Sequence, residues 1–344
     1  MKAFSIRSGI FLGILLIAAC NNQPPAERKE SVRSLPSWNE GATKQSIVDF
    51  VDRVTNRNDP AFVLPAERIA VFDNDGTLWS EQPMYVPLVF VVDRIQQIAS
   101  LHPDWKKKQP YRSILQDGVA GISAIGEQGI TALIETAMGG LTTEESDALV
   151  KSWMTKARHP ELNRPYTELI YQPMVELLQY LRSNGFKTYI VSGGGVDFMR
   201  PWMEQAYGIP PEQVIGSLMD MKYEESPVTH QPSLSFFPKM GFYSNGPNKP
   251  VAIRQFIGRR PVFAAGNSDG DRQMLEYTAT GEDKSHFAMI VHHTDAQREV
   301  AYDRQSRIGK LDQALNQASK AGWTVVNMKQ DWKTIFPAQT SGSN

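Results

Sequence analysis

Apolar positions along this 344-residue chain follow two patterns, one recurring every three or four residues and one running unbroken for four or five. Ile47, Phe50, Val51 and Val54 share one helical face, and Asn58-Asp59-Pro60 closes that helix. Ile69-Ala70-Val71-Phe72 is an unbroken run, the mark of a strand buried on both faces. From 80 to about 165 nothing alternates at period two. Helical patterns over 86–99, over 129–138 and after Thr142-Thr143-Glu144-Glu145, which has capping-box spacing, predict an inserted all-helical segment. Beyond it Met174, Leu177, Leu178 and Leu181 mark a helix stopped at Asn184-Gly185. A strand over 187–191 runs into Ser192-Gly193-Gly194-Gly195, and a helix follows from 196 to about 208. Further strands are predicted over 214–223, 236–243, 261–265, 286–291 and 323–328. Helices are predicted from Lys249-Pro250 to 257 and around Ile308, Leu311 and Leu315. Strand and helix alternate, which predicts an α/β fold: a Rossmann-like parallel sheet with helices on both faces.

The amino terminus breaks this pattern. Lys2 and Arg7 precede an apolar stretch over 10–19 interrupted only by Gly13, and Ile17-Ala18-Ala19 leads into Cys20. This reads as a secretory signal peptide, too short to span a membrane stably. It resembles the bacterial lipobox, in which the cysteine is lipidated and becomes the mature terminus, and two or more acyl chains would anchor it stably. Cys20 is the only cysteine, so no intramolecular disulfide forms. Residues 21–40 are polar and Pro/Ser-rich and are expected to be a flexible tether, and 338–344 a disordered tail. The expected location is the cell envelope, anchored and facing the periplasm or exterior. A formal net charge of −1, evenly spread, gives no electrostatic footprint for nucleic acid.

Three of the strands end in polar, glycine-rich loops, where open α/β sheets bind ligands. Asp73 and Asp75 supply hard oxygen ligands suited to Mg²⁺, and Asn267 and Asp271 can add to such a site. Ser192 and the backbone of Gly193 to Gly195 offer donors at a helix start, and Lys249 adds positive charge. Two acids, a metal, a lysine and a donor nest make a phosphoryl-transfer site. Lys239 is the alternative to Lys249, and Asp269 the alternative to Asn267, though an aspartate there also suits a helix cap. Ser192 also suits a cap for the helix after it. His292, His293 and Asp295 lack a third well-placed ligand and are expected to be structural or substrate-adjacent.

Asp73-Asn74-Asp75-Gly76-Thr77 resembles the first signature of the haloacid dehalogenase-like hydrolases. Val191-Ser192-Gly193-Gly194 is similar to their second motif, Lys249 to their third, and Gly266-Asn267-Ser268-Asp269-Gly270-Asp271 to their fourth, in the family's order. The helical insertion is similar to the cap of the phosphoserine-phosphatase-like branch. The resemblance implies a catalytic core over 41–79 and 166–337 with a cap over 80–165. It implies a Mg²⁺-dependent phosphomonoester hydrolase acting on a small, phosphoserine-like or broader range of substrates. Asp73 would be the nucleophile, Asp75 the acid/base with its backbone carbonyl on the metal, and Ser192, Gly193 and Lys249 the phosphate-binding groups. Asn267 stands where the family has an aspartate, which leaves the metal set one charge short. Glu81 lies one position from an acid that contacts the substrate amine in related phosphoserine phosphatases. Arg158 and Arg164 are candidates for a substrate carboxylate or phosphate. A phosphotransferase or mutase, a phosphonate hydrolase and a non-catalytic binding module remain the alternatives, although both first-motif acids are present.

Overall fold

The computed structural model describes residues 35–225, 230–281 and 286–338. The expected signal peptide, Cys20, most of the tether and the carboxyl-terminal tail past 338 lie outside the described residues. Among those described, no helix is long and apolar enough to cross a membrane. The last stretch of the expected tether is not loose. Leu35 and Trp38 are buried, Trp38 Nε1 donates to the Pro173 carbonyl at 2.9 Å, and its ring packs edge-on against Trp332. Two large apolar side chains among polar neighbours are enough to dock this stretch.

The chain from Leu35 onward forms one compact unit built on a seven-stranded sheet. In chain order its strands are β1 (Ile69–Phe72), β2 (Lys187–Gly195), β3 (Val214–Glu225), β4 (Pro232–Phe242), β5 (Phe263–Gly266), β6 (Phe287–His292) and β7 (Thr324–Asn327). Their spatial order is β4-β3-β2-β1-β5-β6-β7, parallel throughout except for the antiparallel edge strand β4. β1 is central, paired with β2 on one side and β5 on the other, so the chain changes direction across the sheet at this strand. Ala70 and Phe72 pack into one core and Ile69 and Val71 into the other, as an unbroken apolar run requires.

The first core lies under α1 (Ala42–Thr55), the helical segment that follows β1, α6 (Gln172–Ser183) and α7 (Val196–Tyr207). That segment comprises α2 (Val86–Ile98), α3 (Tyr111–Asp117), α4 (Gly126–Met138) and α5 (Thr143–Lys156), with no strand. The capping box of α5 forms as the spacing predicts: Thr142 Oγ1 accepts from Glu145 N at 3.1 Å, and Thr142 N donates to Glu145 Oε2 at 2.9 Å. On the other face lie α8 (Asn248–Ala252), α9 (Arg272–Ala279) and α10 (Gln313–Ala321). α11 (Met328–Asp331) ends the described order.

Three boundaries differ from the sequence reading. β2 does not stop at Val191; a register shift lets it run on, so that Gly195 pairs with Ser217. α10 begins at Gln313, because Leu311 is buried ahead of it and Asp269 Oδ1 accepts from Asp312 N and Ala314 N, both at 2.9 Å. β3 and β4 extend further than their apolar runs and form an arm that meets the helical segment. Met240 N donates to Glu135 Oε1 at 2.8 Å, while Phe236 exchanges backbone bonds of 2.9 Å with Gly140 and Leu141.

Candidate active site

The carboxyl ends of β1, β2 and β5 converge on a buried polar cluster. Asp73 leaves β1 with its N–H on the Ala265 carbonyl of β5, so its backbone is fixed by the sheet itself. The chain then turns at once. Thr77 N and Leu78 N donate to the Asn74 carbonyl, and Gly76, at φ +74°, occupies the left-handed region. A Cβ at Gly76 would overlap Asn267 Nδ2 and Glu81 Oε1, so the turn demands glycine twice over. His293, just past β6, donates from Nε2 to the Gly76 carbonyl at 2.8 Å, with its Nδ1 3.2 Å from Glu299 Oε2 and its ring stacked on Tyr302.

Lys249 is the centre of the cluster. Only 1 % exposed, it donates to Asp73 Oδ1 and Asp271 Oδ1, each at 2.6 Å. Burial alone would lower its pKa, but the carboxylates of Asp271 and Asp73 outweigh burial and hold the ammonium charged. Asp271 Oδ2 accepts from Asn267 N and Ser268 N, both at 3.0 Å. It anchors both Lys249 and the β5 loop.

Asp75 Oδ1 accepts from Trp79 Nε1 at 3.0 Å, and that indole is itself held by stacking on Trp202. Its other oxygen faces Gly194, where a Cβ would sit 3.6 Å away. Burial pushes Asp75 up to about 6, with the Trp79 bond holding it back. Burial likewise pushes Asp73 up, to about 7; Asp271 and Asp75 add to this and Lys249 opposes it. A group intended as an acid near neutrality needs such a setting.

Asn267 is locked from both sides. Thr77 Oγ1 donates to its Oδ1 at 3.1 Å, and its Nδ2 donates to Glu81 Oε1 at 2.6 Å. Glu81 is 1 % exposed and takes a second bond from Tyr302 OH at 2.7 Å. Burial first, and then Asp75 and Asp73, push its carboxyl well above the usual range.

A cavity of about 440 Å³ opens over Asp73, Asp75, Ser192 and Lys249 and extends between the helical segment and the β3–β4 arm. A second depression of about 660 Å³, at the amino end of β6 beside Asp49 and Arg53, touches none of the motif residues.

The haloacid dehalogenase-like hydrolase family matches residues 70–276. The chain belongs to this family. No curated protein matches it. Among solved structures, a conserved protein of unknown function from Anaerococcus prevotii aligns with 82 % of this chain and 90 % of its own, at 16 % identity and a TM-score of 0.51. That likeness supports the same α/β architecture. A protein of unknown function from Bordetella pertussis aligns at 14 % identity and a TM-score of 0.49, over 76 % and 99 % of the two chains. A phosphoserine phosphohydrolase-like protein from Francisella tularensis aligns at 16 % and 0.38, over 74 % and 98 %.

All four motifs of this hydrolase meet at one place, but not every candidate around them does. Ser192 does not cap α7, whose N-cap is Gly195 without a side-chain bond; its Oγ accepts from Gly194 N at 3.0 Å and lines the cavity. Asp269 Oδ1 caps α10, and Asp269 is not on the cavity lining. Lys239 lies on the surface, paired with Asp220 at 3.1 Å. Arg164 pairs with Glu168 and covers the Phe336 ring, and neither it nor Arg158 lines the cavity. His293 and Asp295 are structural, the latter receiving Gln297 N and Arg298 N. Sequence reasoning missed Ser217, whose Oγ donates to the Gly193 carbonyl at 2.7 Å and accepts from Ser244 N at 3.1 Å, tying the second motif to the loop before Lys249. Only the β3 register, absent from any motif, would have pointed to it.

Proposed function

We propose that this hydrolase is a phosphomonoesterase working through an aspartyl phosphate on Asp73. The observation that carries the reading is Lys249, buried and bonded equally to Asp73 and Asp271 on the floor of the cavity. An ammonium so placed opposes the push of burial on a nucleophilic carboxylate and stands ready to meet phosphoryl oxygens. A carboxylate oxygen of Asp73 attacks phosphorus while the bond from phosphorus to the ester oxygen breaks. Asp75 gives its proton to the departing alkoxide. In the second half Asp75 takes a proton from water, which attacks the phosphorus and returns Asp73 and inorganic phosphate. Ser192 and the Gly193 and Gly194 backbone line the same end of the cavity and are assigned to the phosphoryl oxygens.

The donor set fits Mg²⁺. Asp73 and Asp271 share the Lys249 ammonium, and Asp75 and Glu81 stand beside Asp73, a crowding of carboxyl groups that a divalent cation would offset. Among the described residues no three His, Cys, Asp or Glu side chains form a metal group. Asp73 would hold the ion with Asn267 Oδ1 and the Asp75 carbonyl, all hard oxygens. When bound, the ion would neutralise charge on the phosphoryl group. The helical segment over 80–165 is assigned the role of a cap, tied down on its far side by the β3–β4 arm.

The test is turnover of p-nitrophenyl phosphate with and without a chelator, in wild type and Asp73→Asn. Activity is expected only in the wild type, with a phosphorylated Asp73 peptide trapped by acid quench. Undiminished turnover by Asp73→Asn refutes the mechanism. For location, we assign Cys20 as the lipidated residue; Cys20→Ser is expected to move the protein from the membrane to the soluble fraction, and an unchanged distribution refutes the anchor.

A further inference from the structure

Beyond its phosphate end, the cavity is walled by hydrocarbon. α4 presents Ile130, Ile134 and Met138, spaced four residues apart and therefore on one helical face. Leu88 of α2, Ile122 and Phe198 of α7 close the sides. Met219 and Met240, from the β3–β4 arm, line the same cavity, and the Met240 N–H on Glu135 Oε1 holds the arm against α4. Unbranched methionines fill irregular gaps and adapt to varied shapes.

The polar groups say as much by what they lack. Lys249 is the cation within, and both of its known partners are carboxylates of the site. Arg307, the other cation on the lining, is exposed. The acids away from the reacting centre are Glu127 and Asp197. A substrate carboxylate or second phosphate entering this space would meet hydrocarbon and two acids with no buried counter-charge, a costly arrangement. A sugar could meet Tyr85, Tyr243 and Asn245 on the lining, but hydroxyls turned toward α4, Leu88, Met219 and Met240 would lose water with no partner.

We infer that the substrate is a phosphomonoester with an apolar organic group, an alkyl or aryl chain of several carbons lying against α4 and the β3–β4 arm. The phosphoserine-like expectation gives way to this. The inference rests on the phosphomonoesterase reading and narrows it; the volume, about 440 Å³, is ordinary for a pocket that encloses a small ligand.

Two series on the full-length protein test it. The first is kcat/KM for ethyl, butyl and hexyl phosphate, with O-phosphoserine and glucose 6-phosphate beside them. The second is calorimetric binding of ethyl-, butyl- and hexylphosphonate, which carry no ester bond to cleave. Each added methylene is expected to raise kcat/KM and binding about fourfold. The polar esters are expected to fall below butyl phosphate. Ile134→Asn is expected to flatten both slopes. A flat or falling series among esters that are turned over, or a preference for phosphoserine or the sugar phosphate, overturns the substrate class and leaves the phosphatase reading standing. Phosphonates that rank by chain length when no ester is hydrolysed support the apolar pocket and overturn the phosphatase reading. Phosphonates that bind without regard to length overturn the pocket.

Discussion

Replacing Asn267 with aspartate tests how the site keeps its charge. The amide stands where the family's fourth motif carries an acid, and the structure puts a buried acid beside it: Nδ2 donates to Glu81 Oε1 at 2.6 Å. In Asn267→Asp the donor is lost, leaving a buried acceptor short of a partner at a cost of about 1–3 kcal/mol. Two carboxylates then face each other. At 4 Å and an effective dielectric of 20 they would repel by about 4 kcal/mol. The pair escapes most of this by holding one proton between them, as carboxylates sharing a site do. The net loss expected in the metal-free protein is about 3 kcal/mol, or roughly 4 °C in the unfolding midpoint for a protein of this size. Mg²⁺ should narrow the gap. An extra carboxylate tightens binding, and an ion at about 100 times its Kd adds about 2.7 kcal/mol to the folded state. The assay is thermal unfolding of wild type and Asn267→Asp, each with chelator and with Mg²⁺, and calorimetry for the affinity. The double variant Asn267→Asp with Glu81→Gln reverses the direction of the hydrogen bond and is expected to recover most of the lost stability in chelator. An Asn267→Asp protein as stable as wild type without metal refutes the reasoning, as does one that gains no more from Mg²⁺ than wild type does.

Three further outcomes follow from the same cluster and its surroundings. Asp75→Asn should slow turnover of alkyl phosphates by about 10²–10⁴-fold, and p-nitrophenyl phosphate far less in the first step, because its leaving group needs no proton. In the wild type, with Asp75 pushed up by burial to about 6, alkyl phosphate turnover should fall with rising pH above that point, and initial rates from pH 5 to 9 should show the limb vanish in the variant. Lys249→Met leaves Asp73 and Asp271 buried and uncompensated; urea unfolding should show a loss of about 3–5 kcal/mol, and an unchanged midpoint would refute the pairing. Asp197, raised by burial to about 6, has its protonated form favoured by folding. Its contribution is full below about pH 4, the unfolded value, and is lost as pH rises through about 6. Asp197→Asn should therefore be more stable than wild type by about 2–3 kcal/mol at pH 8, with the difference closing by pH 4, as followed by urea titration at each pH.

How much of this was legible in the sequence depends on whether a residue's partner lies close along the chain or across the sheet. β1, β2, β5 and the capping box at Thr142 are local patterns, and each forms close to where its pattern lies. Asp73, Asp75 and Lys249 were readable because they belong to ordered motifs at strand ends, where the sheet converts separation in sequence into proximity. Glu81 was visible as an acid near the first motif, yet its partners, Asn267 and Tyr302, lie 186 and 221 residues away, and no local spacing encodes them. The same holds for Asp269, which caps a helix beginning more than forty residues later, and for Ser217, whose place is set by the bulge in β2. Asn267 shows the consequence most plainly. Taken along the chain it is a departure, one charge short; across the sheet it is half of a pair whose other half, Glu81, keeps a carboxyl group in the place where the motif lacks one. A substitution in a motif is therefore weighed correctly only together with the side chain that touches it.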